Sequence, residues 1–251
     1  MPVWLQAASW GLLSGSALVM GAAIGYFARL SDALVAAIMA FGAGVLISAL
    51  SFELMLESVN RGGLGPAVGG FLGGAVLYAG ANAILAGYGA RHRKRSSHPD
   101  LAKSAGVAQG STAIALGALL DGLPESAALG ASMLDGHDIG IVLVAALFLS
   151  NLPEGLSSAA GMKQRGHGKR YVFGVWGGIA ILSAIAAAAG ASILGHASPE
   201  AVAVTIAVAA GAILVMLIDT MIPEAFAEVR SFTGPLAVAG FVLAFVLGRL
   251  T

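Results

Sequence analysis

Apolar runs of membrane-spanning length recur along the whole chain. A helix needs about 20 mostly apolar residues to cross a bilayer. Eight stretches meet that length, about 8–28, 33–56, 64–88, 107–133, 139–162, 171–195, 201–227 and 233–249. The runs are continuous rather than alternating, so they predict helices and not the strands of a membrane barrel. The 251 residues are 58% hydrophobic and only 10% charged, against roughly 25% charged in soluble domains. That excess is too large for one water-facing core. The expected class is an all-α polytopic membrane protein, a single transmembrane domain over 1–251 with the lipid bilayer as its first partner.

Other classes fall away on composition. Net charge is zero and there is no cysteine, so nucleic acid is not an expected partner and no disulfide framework or thiolate metal site is available. The first thirty residues lack a basic leader and a clear cleavage site. Met1 to Arg29 therefore reads as a first span that is retained.

Charge sets an expected orientation. Arg29, the cluster Arg91, Arg93, Lys94, Arg95 and Lys103, the cluster Lys163, Arg165, Lys169 and Arg170, and Arg230 all fall on odd-numbered connections. Only Arg61 and Arg249 fall on the other side. Basic loops stay cytoplasmic. The loop 89–106, "GARHRKRSSHPDLAKSAG", is then cytoplasmic, and both termini lie outside a cell (inner or plasma) membrane.

The apolar runs carry carboxylates. Glu53, Glu57, Asp121, Glu125, Glu154, Asp219 and Glu224 lie within the expected spans or at their edges. No Lys or Arg sits deep in any span, so we expect no protein cation to pair with them. An isolated carboxylate in hydrocarbon is costly. Such groups are either protonated or matched by a cation from outside. Asp121 and Glu125 share one helix face, as do Ser150 and Glu154, with Asn151 beside them.

Proline sits next to glutamate three times, in "DGLPESAALG" (121–130), "SNLPEGLSSAAG" (150–161) and "DTMIPEAF" (219–226). Pro124, Pro153 and Pro223 are expected helix kinks. Pro124 and Pro153 free the carbonyls of Leu120 and Leu149, which could supply further oxygen ligands beside the carboxylates. The expected metal site comprises Asp121, Glu125, Ser150, Asn151 and Glu154, with Glu53, Glu57, Asp219 and Glu224 along the pathway to it.

A faint repeat links "AGVLISALSFELMLE" (43–57) with "AGAILVMLIDTMIPE" (210–224), setting Glu57 against Glu224. These are expected spans two and seven, which run in opposite directions. An inverted-topology repeat would give that pattern, with the ion site at the repeat interface.

Eight spans, outside termini, a long loop after span three and Pro-Glu motifs on spans four and five together resemble the Zrt/Irt-like (ZIP) divalent-metal transporters, in particular their bacterial branch. The resemblance implies spans 1–3 and 6–8 as an inverted repeat around spans four and five. It also implies metal ligands on those two central spans. The family's fourth span typically reads His-Asn-x-Pro-Glu-Gly, where this chain has Asp121, Gly122, Leu123, Pro124, Glu125 and Ser126. The fifth typically reads His or Gln, then Glu or Asp, then x-Pro-Glu-Gly, where this chain has Ser150, Asn151, Leu152, Pro153, Glu154 and Gly155. Glu125 and Glu154 match the family; the residues before each proline depart from it. His92, His98, His137, His167 and His196 all lie in or near loops, so the core offers oxygen ligands only. Oxygen suits harder cations such as manganese, magnesium or calcium.

The expected function is a permease for a divalent metal ion such as zinc, manganese or iron, with the metal as substrate and no organic cofactor. A homodimer is compatible with it. The alternatives are a diverged member moving protons, a monovalent cation or another solute, and a membrane sensor without transport. An intramembrane enzyme is disfavoured: Asp121 and Asp219 could form a carboxylate pair, but Pro-Glu has no evident reaction to perform and no Ser-His pair exists.

Overall fold

The computed structural model describes residues 1–28, 30–87, 107–134 and 141–250; for residues 85–87, 107–116, 121, 141, 142 and 164 it describes the backbone only. The basic loop 89–106 lies outside the described residues, as do Arg29, His92, His98 and His137.

The described residues are helical, with no strand among them. The elements are α1 (Val3–Phe27), α2 (Asp32–Ala49), a π-helical segment (Leu50–Met55), α3 (Leu56–Gly62), α4 (Leu64–Gly87), α5 (Val107–Ser132), α6 (Ile141–Gln164), α7 (Lys169–Leu194), α8 (Pro199–Met216), a second π segment (Leu217–Met221), α9 (Ile222–Val229), a 3-10 turn (Arg230–Phe232) and α10 (Thr233–Leu250). Among the described residues, six stretches are long and apolar enough to cross a membrane: Val3–Phe27, Asp32–Gly62, Leu64–Ile84, Leu143–Lys163, Lys169–Leu194 and Pro199–Leu250. The chain is thus an all-α, membrane-embedded protein. The second span runs on to Gly62, beyond the expected end at residue 56. Its π segment passes directly into α3, so the carboxylates there do not end the helix.

Local chemistry explains where these helices start, loosen and stop. Ser31 caps α2 by accepting from the Leu34 N–H at 3.3 Å, and Ser198 caps α8 by accepting from the Ala201 N–H at 3.3 Å. Within each π segment a hydroxyl takes a carbonyl one turn back. Ser51 Oγ donates to the Ile47 carbonyl at 2.7 Å, and Thr220 Oγ1 donates to the Met216 carbonyl at 2.6 Å. Such back-bonding competes with the helical ladder. The chain then leaves both helices through a positive φ, at Gly63 (79°) and at Arg230 (41°).

The register that sets Ala43 against Ala210 also matches these events. It aligns Ser31 with Ser198, the π start Leu50 with Leu217, Glu57 with Glu224, and Gly63 with Arg230.

Packing follows glycine. Without a hydrophobic drive between helices in lipid, close backbone approach holds the bundle together. The Phe71 carbonyl oxygen occupies the place of a Cβ at Gly211, and the Val208 carbonyl does so at Gly74, joining α4 to α8. The Ala237 carbonyl fills Gly44 and the Phe41 carbonyl fills Gly240, joining α2 to α10. Leu152 and Leu156 carbonyls fill Gly21 and Gly25, joining α1 to α6, while Ala127 and Ala187 carbonyls fill Gly190 and Gly130, joining α5 to α7. Between α1 and α7, Gly15 lies on Ala180, where a Cβ would stand 3.0 Å from the Ala180 Cα.

Direction can be read from the same contacts. Gly44 meets Ala237 and the Phe52 ring packs at a tilt against Phe245, so α2 and its π segment run parallel to α10. Helix α2 packs on α9 while α3 packs on α8, so those two long rods run antiparallel. Exchanging α1 for α7, α2–α3 for α8–α9, α4 for α10 and α5 for α6 leaves the pattern of neighbouring helices unchanged.

Candidate functional site

Helices α5 and α6 run through Pro124 and Pro153 without a break in helical assignment. Pro223 stands in the first turn of α9, immediately after the π segment. The carbonyl that Pro153 frees, at Leu149, faces α2 at Gly42, where a Cβ would stand 3.2 Å away. Glycine there leaves this oxygen uncovered by a side chain.

The two Pro-Glu helices meet each other only slightly. Helix α5 is held by α7 and α8, and α6 by α1 and α2. On α5, Glu125 and Ser126 are buried; the side chain of Asp121 lies outside the described residues. Among the described residues, Gly122 has Ser183 Oγ near it, 3.7 Å from where a Cβ would be. On α6, Ser150 and Asn151 are buried and Glu154 is half-buried. Ser150 Oγ donates to the Leu147 carbonyl at 3.0 Å. Asn151 Nδ2 donates to the Ser14 carbonyl at 3.1 Å, so its amide ties α6 to α1. Among the described residues, no group of three or more His, Asp and Glu side chains is placed to hold a metal ion.

The expected pathway residues separate into different settings. Glu53 is half-buried in the first π segment, beside the Phe52 ring that packs on Phe241 and Phe245. Glu57 does have a protein cation, contrary to expectation. Arg61 lies one turn on along α3 and its NH2 donates to Glu57 Oε1 at 2.6 Å. Arg61 lies near the end of its span, and its guanidinium reaches back along the i, i+4 face. Asp219 is exposed in the second π segment.

Glu224 lines a cavity of about 440 Å³. Its walls come from the end of α1 (Gly25), the link after it (Ala28, Leu30), the start of α2 (Asp32, Val35, Ala36, Met39), the end of α6 (Leu156, Ser157, Ala160, Lys163) and α9 (Glu224, Glu228). Asp32 and Glu228 are exposed at the surface, so the cavity opens outward between three carboxylates. Lys163 is turned aside: its Nζ donates to the Tyr26 carbonyl at 2.6 Å and lies 5.1 Å from the Tyr26 ring centroid. Ser157 is a buried residue of the cavity wall. Ser150, Glu154 and Ser157 share one face of α6 by helical spacing, which makes a polar track from the cavity wall toward mid-helix. Asp32, Ser157 and Glu228 carry no motif and were not among the expected site residues. The serine spacing on α6 was the available signal.

No family model matches the chain, and no curated protein matches it.

Proposed function

We propose that the protein is a membrane permease for a cation, with a ZIP-like arrangement of eight spans, and that a divalent metal ion is its substrate. The observation that carries this reading is the acidic cavity continued by the Ser157–Glu154–Ser150 face of α6. A water-accessible mouth lined by Asp32, Glu224 and Glu228 concentrates cations. A hydroxyl and carboxylate track then replaces hydration water stepwise with oxygen.

Eight crossings fit the two directions read above, with the α2–α3 rod parallel to α10 and antiparallel to α8–α9. An inverted repeat is supported by the neighbour pattern and by the matched caps, π segments and positive-φ exits. In this reading α5 and α6 are the central pair, and Glu125, Asn151 and Glu154 face the substrate at mid-membrane. The positive-inside rule applied to the basic connections supports a cytoplasmic position for the cavity at Asp32 and Lys163, and in this reading it is the exit for uptake.

Flux of manganese, zinc and cadmium into proteoliposomes tests the reading. Glu125→Ala combined with Glu154→Ala lowers flux by at least about tenfold, the scale on which metal sites lose affinity when a supporting group is removed. Unchanged flux in that double variant removes the site from the pathway.

A second reading keeps the fold and changes the cargo to a proton or monovalent cation. It is favoured by the sparse ligand set: no three carboxylates or imidazoles converge among the described residues. Proton-driven flux without any divalent-cation dependence distinguishes it.

A further inference from the structure

The matched register sets the two α9 residues of the cavity wall, Glu224 and Glu228, against Glu57 and Arg61 on α3. Beside them it sets Ala225 against Ser58 and Val229 against Gly62. The carboxylate is common to both; each of the other three differs, and each difference closes the α3 side.

Ser58 Oγ donates to the Ala203 carbonyl at 2.8 Å, clasping α3 to the start of α8. Its counterpart Ala225 has no hydroxyl to do this. Gly62 lets Ala203 and Glu200 approach; a Cβ there would stand 3.2 Å from the Glu200 Cα. Its counterpart is the branched Val229. Arg61 neutralises Glu57 in an ion pair whose guanidinium side chain is only 12% exposed. Its counterpart Glu228 adds a second negative charge beside Glu224 and is exposed.

The neighbouring walls agree. Aligning Pro124 with Pro153 sets Ala131 against Ala160. Ala160 lines the cavity, whereas Ala131 is 0% exposed. The same alignment sets Ala127 against Leu156, and their carbonyls fill Gly190 and Gly25 in equivalent fashion. The two ends therefore share a scaffold and differ at this position, half-buried on a cavity wall at Ala160 and fully buried at Ala131.

We infer that α3 is the lock of a second, closed mouth, and that Arg61 holds Glu57 as a tethered cation which an incoming cation must replace. This rests on the cation-permease reading above. Arg61 is a positioning residue: it keeps Glu57 neutralised and α3 seated on α8, and substitution frees both. A cation able to displace a guanidinium from Glu57 opens the mouth, so Arg61 also sets a threshold for what enters.

The chain has no cysteine, which makes single-cysteine reporters direct. In purified full-length protein, a polar maleimide labels Ala160→Cys, while Ala131→Cys is protected. Adding Arg61→Gln raises the Ala131→Cys rate by about tenfold; Arg61→Lys does not. The charge-reversed pair Glu57→Arg with Arg61→Glu restores protection. Met162→Cys, in a separate fully buried cluster, stays protected in every background. The lock is overturned if Ala131→Cys labels as fast as Ala160→Cys without other changes, or if Arg61→Gln leaves its rate unchanged. It is equally overturned if Met162→Cys becomes reactive too, since the variant has then loosened the whole bundle. Labelling needs no transported ion. A chain that labels as expected but shows no flux of any cation keeps the lock and loses the permease reading.

Discussion

Arg230 adopts φ 41° at the exit from α9. A side chain in the left-handed half of backbone space costs about 1–2 kcal/mol. At the matched exit from α3 the residue is Gly63, at φ 79°, which meets no such penalty. Arg230→Gly therefore raises stability by about 1 kcal/mol, seen as a higher melting temperature in detergent, while Gly63→Ala lowers it. A gain from the first substitution with no loss from the second would show that the two exits are not equivalent. At the same scale, Asn151 illustrates how one side chain can be read two ways. Its position beside Pro-Glu suggests an oxygen ligand, yet its Nδ2 is already bonded to the Ser14 carbonyl. The amide's first task is to join two helices.

Several helix pairs in this fold touch through glycine. Adding a methyl at Gly44 or Gly211 drives Cβ into the Ala237 or Phe71 carbonyl. Neither backbone can yield without moving its helix. Each of Gly44→Ala and Gly211→Ala should cost about 1–3 kcal/mol, the range for overpacking a tight contact. Gly69 is the control: nothing lies within 4 Å of its added Cβ, so Gly69→Ala should be neutral or slightly stabilising. Equal losses at all three positions, measured by thermal unfolding, would mean that glycine matters here for helix flexibility rather than for approach.

These elements were largely legible as sequence. Long apolar runs place the helices, because the bilayer leaves the backbone few alternatives. The segments that carry the repeated Ala-Gly and Glu, 43–57 and 210–224, have caps, π segments and positive-φ exits at the same register positions. The helix pairings were not legible. Small residues occur on many faces, and only tertiary structure selects which glycine meets which carbonyl. The acidic cavity was half legible: Glu224 was marked by its proline, but Asp32 and Glu228 are ordinary helix-end acids in sequence. The Glu57–Arg61 pair was there to be found as an i, i+4 spacing. It was missed because Arg61 counts as a loop residue when the span is ended at residue 56.

At the scale of the whole molecule, the two ends are variations on one plan. Glu57 and Glu224 occupy matched places: Glu57 pairs with Arg61, and Glu224 lines a cavity with Glu228. A near-symmetric bundle with unlike ends needs only local changes to exchange which end is shut. That economy depends on α3 and α9 facing the correct way, and here the π segments have a consequence beyond local geometry. A π turn holds one residue more than an α turn would. That residue advances the phase of everything after it by about 100°, one residue's share of a 3.6-residue turn. Glu57, Ser58 and Arg61 beyond the first segment, and Glu224 and Glu228 beyond the second, owe their bearing to it. Deleting Ser51 should leave a continuous helix of unchanged apolarity, which still inserts and still shows full helical circular dichroism. Its far end would be rotated about 100°, carrying Glu57 off the mouth and Ser58 out of reach of Ala203. Retained Ala131→Cys protection in that deletion would sink the idea. For this fold a missing residue is a change of phase, and no substitution at the mouth can restore it.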